Sequence, residues 1–486
     1  MSAVGQLYSL RGTLRVAGFR LFRHRPSLDR AITHLDRAAA RLPADHPDRP
    51  LVLATLGECL LWRYERTTDP ADLDAAIHRL REGDTPASLA AALRSRFLRY
   101  ADVQDLDEAI AAAGQDDAAS VTNVALALLA RYEHTAARAD LFAALRAART
   151  PVAGALHRGP RLGALIEVLG SLHQHTDDRE LLADAIAAGR AALATLSWTD
   201  PNRAVYAAGL SAVLRLSDDP ALRHEAVPMA EEALRGSPPA HVDHGYRLAT
   251  LSMALFTRHL DTGDRDDLRW ARDRAEEAVT VGRNRPLMLL RVGLLARRWF
   301  DVTGEAAALD RGEQAVREAI DLVGPEHPSY GPLRAELAEL LLRAGREAEA
   351  RDLLVEAVQA DGPVLTLHNG LRAATRLAEL AGDSELALLG YRRAIALLPS
   401  AAWPGLRRPV REARLAEAPR ATDAAALALR HGDPRLALDL LEAGRSVIWA
   451  QQPSRHTDLS RLRTADPALA GRLDEIRAWF EDPDVP

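Results

Sequence analysis

Two stretches of the chain decide its fold: RYERTTDPADLDAAI, from Arg63 to Ile77, and RYEHTAARADLFAAL, from Arg131 to Leu145. Both begin with Arg-Tyr-Glu and have a threonine three residues after the tyrosine. Both then continue with Ala-Asp-Leu and, after one further residue, a pair of alanines. Near-copies inside one chain are typical of a small structural unit used many times. They predict a repeat array.

The second half of the copied stretch recurs along the chain as Leu-x-x-Ala followed by Ile or Leu. Close matches start at Leu28, Leu73, Leu106, Leu141 and Leu182, and looser ones start at Leu222, Leu268 and Leu309. Successive starts lie 33 to 46 residues apart, the range of two-helix solenoid units. An apolar segment and a polar turn with threonine precede most matches, and Gly or Pro follows. This order predicts a helix A, a turn and a helix B in each unit.

The composition agrees with a helical array. The 486 residues are 48% hydrophobic but only 5% aromatic, and they are rich in Ala, Leu and Arg. All 62 Lys and Arg positions are arginine, yet 68 acidic residues leave a net charge of −6. Nucleic-acid binders usually show the opposite balance, so we expect no nucleic-acid partner.

From residue 305 the units become more regular. Helix B repeats a small, large, small and Pro spacing, as in Ala350, Leu354, Ala357 and Gly362-Pro363. This spacing resembles the helix-B signature of the tetratricopeptide repeat (TPR). The resemblance implies an all-α, TPR-like α-solenoid, a right-handed superhelix of about ten helical hairpins between residues 6 and 451. We expect divergent long repeats over 1–304, more regular repeats over 305–451, and a helical cap or junction over 452–486.

The last stretch departs from the repeat. LALDLLEAGRSVIWAQ (Leu436–Gln451) precedes RHTDLSRLRTADPALAGRLDEIRAWFEDP (Arg455–Pro483). Together with ADHPDR at 44–49 and RYERTTD at 63–69, it resembles the region upstream of the CHAT domain in bacterial TPR–CHAT proteins. In that family a repeat array precedes a caspase-like peptidase. The resemblance implies an array that would lead to a CHAT domain after Pro486 and lacks the enzyme itself.

Candidate catalytic groups are few. Cys59 stands in the middle of a predicted helix with no activating base nearby in sequence, so we expect a small buried side chain. The chain has no phosphate-binding Gly-rich loop and no Gly-x-Ser-x-Gly elbow. We therefore expect no catalytic residue and no cofactor.

Two histidine pairs, in HQH at 173–175 and HVDH at 241–244, offer the ligand type that zinc prefers. His241, however, occupies the same inter-repeat slot as His46 and His327, and His173 takes the helix-A slot of Tyr64. Residues placed by the repeat are explained by the repeat, so we expect no metal. A hydrolase built from the loop histidines is the less favoured alternative.

Partner-binding candidates recur where the A helices end. They are Arg63, Tyr64, Arg99, Tyr100, Arg131, Tyr132 and Arg258. By resemblance to TPR proteins, the A helices line the concave face, where arginine beside aromatic rings suits an acidic or extended peptide. The alternative is that the aromatic rings pack at the hairpin ends and the arginine stems lie along them.

These observations predict a protein–protein interaction scaffold or sensor array. It would recognise a protein or peptide on its concave face and regulate a CHAT-type protease domain in cis or in trans. The alternative is a general TPR adaptor without a protease. A single cysteine favours a reducing cytoplasm, and a membrane partner is not expected. The basic segment 1–28 is interpreted as the first helix of the array, with docking to an anionic membrane or an acidic partner as the alternative.

Overall fold

The computed structural model describes residues 25–112, 118–135, 137–150, 155–176, 178–196, 200, 202–281, 284–324, 327, 329–359, 367–402, 411, 415, 420–445 and 460–481. The predicted N-terminal basic helix lies almost wholly outside these residues. So does the stretch 446–459, which carries much of the resemblance to the CHAT junction.

The described residues form helices and contain no β-strand. Up to residue 303 the helices are α1 (Arg25–Arg41), α2 (Arg49–Thr67), α3 (Pro70–Glu82), α4 (Pro86–Tyr100), α5 (Val103–Ala112), α6 (Ala118–Thr135), α7 (Arg138–Arg149), α8 (Ala155–Thr176), α9 (Arg179–Ala194), α10 (Arg203–Leu214), α11 (Pro220–Arg235), α12 (His244–Thr262), α13 (Arg265–Val281) and α14 (Arg285–Thr303). The later helices are α15 (Ala306–Val323), α16 (Tyr330–Arg343), α17 (Glu347–Gln359), α18 (Leu367–Ala381), α19 (Glu385–Ala401), α20 (Ala421–Arg430), α21 (Pro434–Arg445), α22 (Ser460–Ala465) and α23 (Pro467–Glu481).

From α2 to α21 the even-numbered helices are A helices and the odd-numbered ones are B helices. A helices pack against the B helices that follow them, as in α2 with α3 or α12 with α13, and neighbouring A helices such as α4 and α6, or α10 and α12, also pack against each other. This arrangement confirms the predicted all-α, TPR-like solenoid.

The repeated threonine makes the same two hydrogen bonds in the A–B turns. In five hairpins its Oγ1 donates to the carbonyl four residues earlier, and the oxygen accepts the N–H two residues later. The threonines are Thr67, Thr135, Thr176, Thr262 and Thr303. The hydroxyl thus satisfies backbone groups that a helix end leaves unpaired.

Two B helices of unit 1 begin with the same N-terminal cap. Asp69 Oδ1 accepts from the N–H of Ala71 at 3.0 Å at the start of α3, and Asp219 Oδ1 accepts from Ala221 at 2.9 Å at the start of α11. A proline occupies the first helical position in both, where no N–H is needed.

The helices divide into two compact units. Unit 1 contains residues 1–171 and 182–288, and unit 2 contains residues 172–181 and 289–486. The cores of both consist mainly of leucine and alanine. The predicted change of repeat type near residue 304 stays a prediction.

Unit 2 shows why helix B needs small residues. Gly312 and Ala319 of α15 are buried, with Val316 between them. A Cβ added to Gly312 would lie 2.8 Å from Ala296 Cβ and 3.0 Å from Leu340 Cδ2. The glycine therefore allows α14 and α16 to approach α15 closely, as the predicted small-large-small spacing requires.

The C-terminal helices α22 and α23 pack against each other, and Arg463 Nη2 lies 2.6 Å from Asp474 Oδ2 across them. Ala470 is buried, but Leu469 is 45% exposed. The buried position of this turn is therefore Ala470 and not Leu469.

Candidate functional site

Four hairpins of unit 1 contain the same ion pair between the end of helix A and the start of helix B. In the first, Arg63 Nε donates to Asp72 Oδ2 at 2.8 Å, and Arg63 Nη2 donates to Oδ1 at 2.5 Å. The aspartate always follows the arginine by nine residues and is the third residue of its B helix. We call these pairs the hairpin clamps: Arg63–Asp72, Arg96–Asp105, Arg131–Asp140 and Arg258–Asp267.

The clamps hold buried carboxylates. The four aspartates are between 1% and 8% exposed, whereas the arginine side chains are 26–30% exposed. The N-terminus of helix B favours a negative charge, and the arginine fork supplies two parallel hydrogen bonds. The hydrogen bonds that each clamp arginine donates to its buried aspartate raise the pKa of that arginine. The clamp arginines are therefore first of all structural counter-ions.

Most of the predicted partner-binding residues belong to this hairpin structure. Arg63, Arg131 and Arg258 are clamp residues. Tyr64 is completely buried and Tyr132 is 4% exposed, so both rings lie in the core. The alternative weighed for them, an aromatic ring packed at the hairpin end, describes their placement.

Arg99 and Tyr100 differ from the others. Both side chains are exposed, and the Arg99 guanidinium lies 5.5 Å from the centre of the Tyr100 ring. Arg99 Nη1 donates to the Thr68 carbonyl at 3.4 Å. The clamp position of this hairpin is held by Arg96. A sequence signal existed for that assignment, since an arginine nine residues before Asp-Leu marks all four clamps.

The inter-repeat histidines share one structural role. The Nδ1 atoms of His46, His241 and His327 accept the backbone N–H two residues later, at 3.2, 3.1 and 3.1 Å. Each loop also has a backbone hydrogen bond from the residue three positions after the histidine to the histidine carbonyl. An Nδ1 that accepts carries no proton, so the ring N–H is on Nε2.

The helix-end histidines and the cysteine are also integrated in the hairpins. His173 Nδ1 lies 2.8 Å from the Asp178 carbonyl, and His259 Nδ1 lies 2.6 Å from the Asp264 carbonyl. Cys59 is completely buried in the core of unit 1. In the part of the chain that the structure describes, no group of three or more His, Cys, Asp or Glu residues is arranged to hold a metal.

A second set of charged residues lies on the A helices and takes no part in the clamps. Glu133 of α6 and Glu167 of α8 have exposed side chains. Loss of hydration raises the pKa of Glu133 to about 7, and the Glu167 carboxylate raises it further. Loss of hydration likewise raises the pKa of Glu167. The guanidinium of Arg94, on α4, opposes both shifts.

The Glu133 and Glu167 carboxylates thus touch solvent while neighbouring protein atoms limit their hydration. Arg94 supports this placement, because its Nε is buried without a hydrogen-bond acceptor among the described residues. Three successive A helices thus bring their charged groups to one surface.

The same surface continues onto α10 and α12. Loss of hydration lowers the pKa of Arg215, the residue that follows α10, and of Arg247 on α12. Tyr246, whose side chain is 47% exposed, interacts electrostatically with both guanidinium groups. Asp243 links the two parts, because it interacts with Glu167 and with Arg247.

We call this surface the A-face cluster, and its members are Arg94, Glu133, Glu167, Arg215, Asp243, Tyr246 and Arg247. The sequence did not reveal it. Arg94 stands two residues before a clamp arginine, Glu133 stands two residues after one, and the others share no repeat position. Only the stacking of the hairpins brings them together.

No protein-family model and no curated protein sequence matches the chain. Among solved structures, it is similar to a signal-transduction ATPase with numerous domains (STAND) and a TPR sensor from Pyrococcus horikoshii, with 12% identity and a TM-score of 0.40. This match covers 99% of the chain and 65% of that protein, so the chain spans less than two thirds of its length. It is also similar to the human IFIT1 dimer with m7Gppp-AAAA, at 11% identity and a TM-score of 0.49 over 91% of the chain and 90% of IFIT1.

The helices were also compared with the length and hydropathy that a bilayer requires. None within the described ranges is both long and apolar enough to span a membrane.

Proposed function

We propose that the A-face cluster of unit 1 binds an extended segment of a protein or peptide, and that the chain is a non-catalytic recognition scaffold. One observation carries this proposal. The clamp arginines are used by the hairpins themselves, whereas the charged groups of the A-face cluster are poorly hydrated and take no part in the clamps. Such groups gain from a ligand that supplies complementary charge.

A repeat array suits this task because its ligand contacts several successive units. The A helices α4, α6, α8, α10 and α12 each contribute to the cluster. The backbone hydrogen bonds of these helices are already made within each helix. A bound segment would therefore contact helix side chains, and its own side chains would determine specificity.

The earlier partner-binding candidates enter the proposal in two groups. Arg99 and Tyr100 are exposed and offer a guanidinium stacked near an aromatic ring. Arg63, Arg131 and Arg258 keep about a quarter of their side-chain surface accessible. They would contact a ligand only with the guanidinium N–H groups that the clamps do not use. Tyr64 and Tyr132 would not contact the ligand and would pack in the core beneath it.

The test is a selection of twelve-residue peptides from a random library on the intact chain, followed by calorimetric titration of the best binder. We expect the double variant Glu133→Gln/Glu167→Gln to change the affinity at least tenfold. Arg269→Gln, on the outer helix α13 with a side chain 55% exposed, is the matched control and should change nothing. Equal affinity for both variants would place the binding surface elsewhere.

We further propose that the scaffold regulates a CHAT-type, caspase-like protease in cis or in trans in the cytoplasm. The support is the resemblance of residues 436–483 to the region upstream of CHAT domains. Adding the intact chain to a purified CHAT protease from a TPR–CHAT protein should change its peptidase rate. A general adaptor would leave that rate unchanged while still binding its peptide.

Nucleic acid is not the proposed partner. The human IFIT1 structures contain short RNAs, as their names state, but the chain carries a net charge of −6. We expect a fluorescent single-stranded RNA to show no salt-sensitive binding in an anisotropy titration. Tight, salt-sensitive binding would replace the peptide proposal by an RNA proposal.

A further inference from the structure

Two hairpins of unit 1 that are far apart in sequence touch each other. The N–H of Val242, just before α12, donates to the Glu65 carbonyl near the end of α2 at 2.8 Å. Val242 is 5% exposed and belongs to the hydrophobic core formed by the first helices. In a simple repeat array each unit contacts only its neighbours. This contact is therefore an additional junction, and it borders the A-face cluster.

Arg215 interacts electrostatically with Tyr246 of α12 and lacks the acidic partner that other arginines of unit 1 have. Arg203 pairs with Glu232, and Arg223 Nη2 lies 2.7 Å from Asp261 Oδ1. Among the described residues, the Arg215 side chain has neither an ion pair nor a hydrogen bond, although it is half-buried. Its place at the end of α10 favours a positive charge but satisfies none of its donors.

The second guanidinium of the junction is that of Arg247. Its side chain is 3% exposed, and the nearest carboxylate oxygen, Asp243 Oδ2, is 3.9 Å from Nη2. That distance allows electrostatic attraction but no hydrogen bond. Tyr246, the third residue of α12, interacts electrostatically with both arginines. Its ring is exposed.

We propose that Arg215, Tyr246 and Arg247 form a carboxylate-binding site at the junction of α2, α10 and α12. The inference rests on the proposed function, because the carboxylate belongs to the peptide that the A face binds. The arginine forks donate hydrogen bonds to a carboxylate, and the exposed Tyr246 ring offers an apolar surface for the stem of a glutamate.

The neighbouring charges include acids as well as arginines. Glu65 and Asp243 also face Arg247 and weaken its attraction for any anion. A doubly charged phosphate would be attracted and repelled twice as strongly as a carboxylate, so charge alone does not select the ligand. The carboxylate is proposed because the proposed ligand of the A face is a peptide, which carries carboxylates. An acidic side chain and a peptide C-terminus remain the two possible sources of the carboxylate.

The experiment uses four fluorescent octapeptides with the full chain at low ionic strength, and it measures anisotropy. An amidated alternating Gln-Glu peptide carries side-chain carboxylates only, and a polyglutamine free acid carries the C-terminal one only. An amidated polyglutamine and an amidated alternating Gln-Lys peptide are the neutral and basic probes.

Arg215→Gln should weaken at least one carboxylate peptide about tenfold, the loss of one forked charge-assisted contact. Whichever carboxylate peptide responds identifies the source. Tyr246→Ala, an exposed substitution that leaves the core intact, should weaken the same peptide severalfold. Arg235→Gln, at a side chain that is 71% exposed on α11, is the matched control and should have no effect.

Equal affinity of every probe for Arg215→Gln, Tyr246→Ala and the parent chain would overturn the carboxylate site. If at the same time the basic peptide binds and Glu133→Gln/Glu167→Gln weakens it, the proposed function stands and only the site fails. If no octapeptide binds and the library selection yields no binder, both proposals fail together.

Discussion

The clearest energetic consequence of the fold concerns the clamp of the α12–α13 hairpin. Asp267 is 1% exposed and receives two hydrogen bonds from Arg258, at 2.7 and 2.6 Å. In the variant Arg258→Ala this carboxylate loses its counter-ion. Removing one partner of a buried ion pair typically costs 3–5 kcal/mol. The Arg258 side chain is 30% exposed, so water can enter the vacated space. We therefore expect a loss of about 2–3 kcal/mol.

Hydrogen–deuterium exchange of the full chain is the appropriate assay, because repeat arrays need not unfold in one step. Amides of α12 and α13 should exchange faster in Arg258→Ala, by the factor that corresponds to the loss in free energy. The second substitution Asp267→Asn in the same background removes the buried charge and should restore about half of the protection. Exchange rates in Arg258→Ala within a factor of two of the parent chain would refute the clamp as a stabilising element.

Four further outcomes follow from the same structure. Glu133→Gln should stabilise unit 1 above pH 7 by up to about 1 kcal/mol, since the exposed side chain limits the effect. The pKa of Glu133 is about 7 in the folded chain and lies above the unfolded value. The stability gained by the Gln variant therefore grows as pH rises from about 4.5 to 7 and disappears in more acidic solution. Urea titrations at several pH values measure it. Gly390→Ala should cost about 1–3 kcal/mol, because its Cβ would lie 2.6 Å from a backbone oxygen. Gly331→Ala should not destabilise the chain in the same titrations, because among the described residues nothing lies within 4 Å of the added Cβ. A thiol reagent should label Cys59 only after unfolding, and rapid labelling of the folded chain would contradict its burial. Deleting 456–486 should lower the melting temperature and solubility if the tail caps the array; unchanged behaviour would show that it is dispensable.

The hairpin architecture could be predicted because short local sequence signals determine each hairpin and recur along the chain. A threonine near the end of helix A, Asp or Pro at the start of helix B, and alanines on one face of helix B each have a local physical reason. Those reasons recur at a nearly fixed period, so Thr67 and Thr135 make the same hydrogen bonds in their own turns.

The roles of the arginines could not be read as easily. Arg63 and Arg131 recur beside tyrosine, and that recurrence suggested a ligand surface. Recurrence also follows when a residue is needed by every hairpin, and the buried Asp72 and Asp140 supply that need. A residue that the repeat requires is thus a poor guide to what the repeat binds.

The A-face cluster was beyond sequence reasoning for the opposite reason. Arg94 and Glu133 occupy different positions in their repeats, and Arg215 stands just beyond the end of α10. Their proximity depends on how successive hairpins stack and on the junction between Glu65 and Val242. Neither the stacking nor the junction is encoded in one short segment.

The central claim is that ligands bind across the A helices of unit 1. Hydrogen–deuterium exchange of the intact chain with and without the library-selected peptide tests it most directly. The account predicts slower exchange in α4, α6, α10, α12 and residues 155–171 of α8, and no change in α11 or α13. Protection confined to the B helices or to residues 460–481 would contradict it.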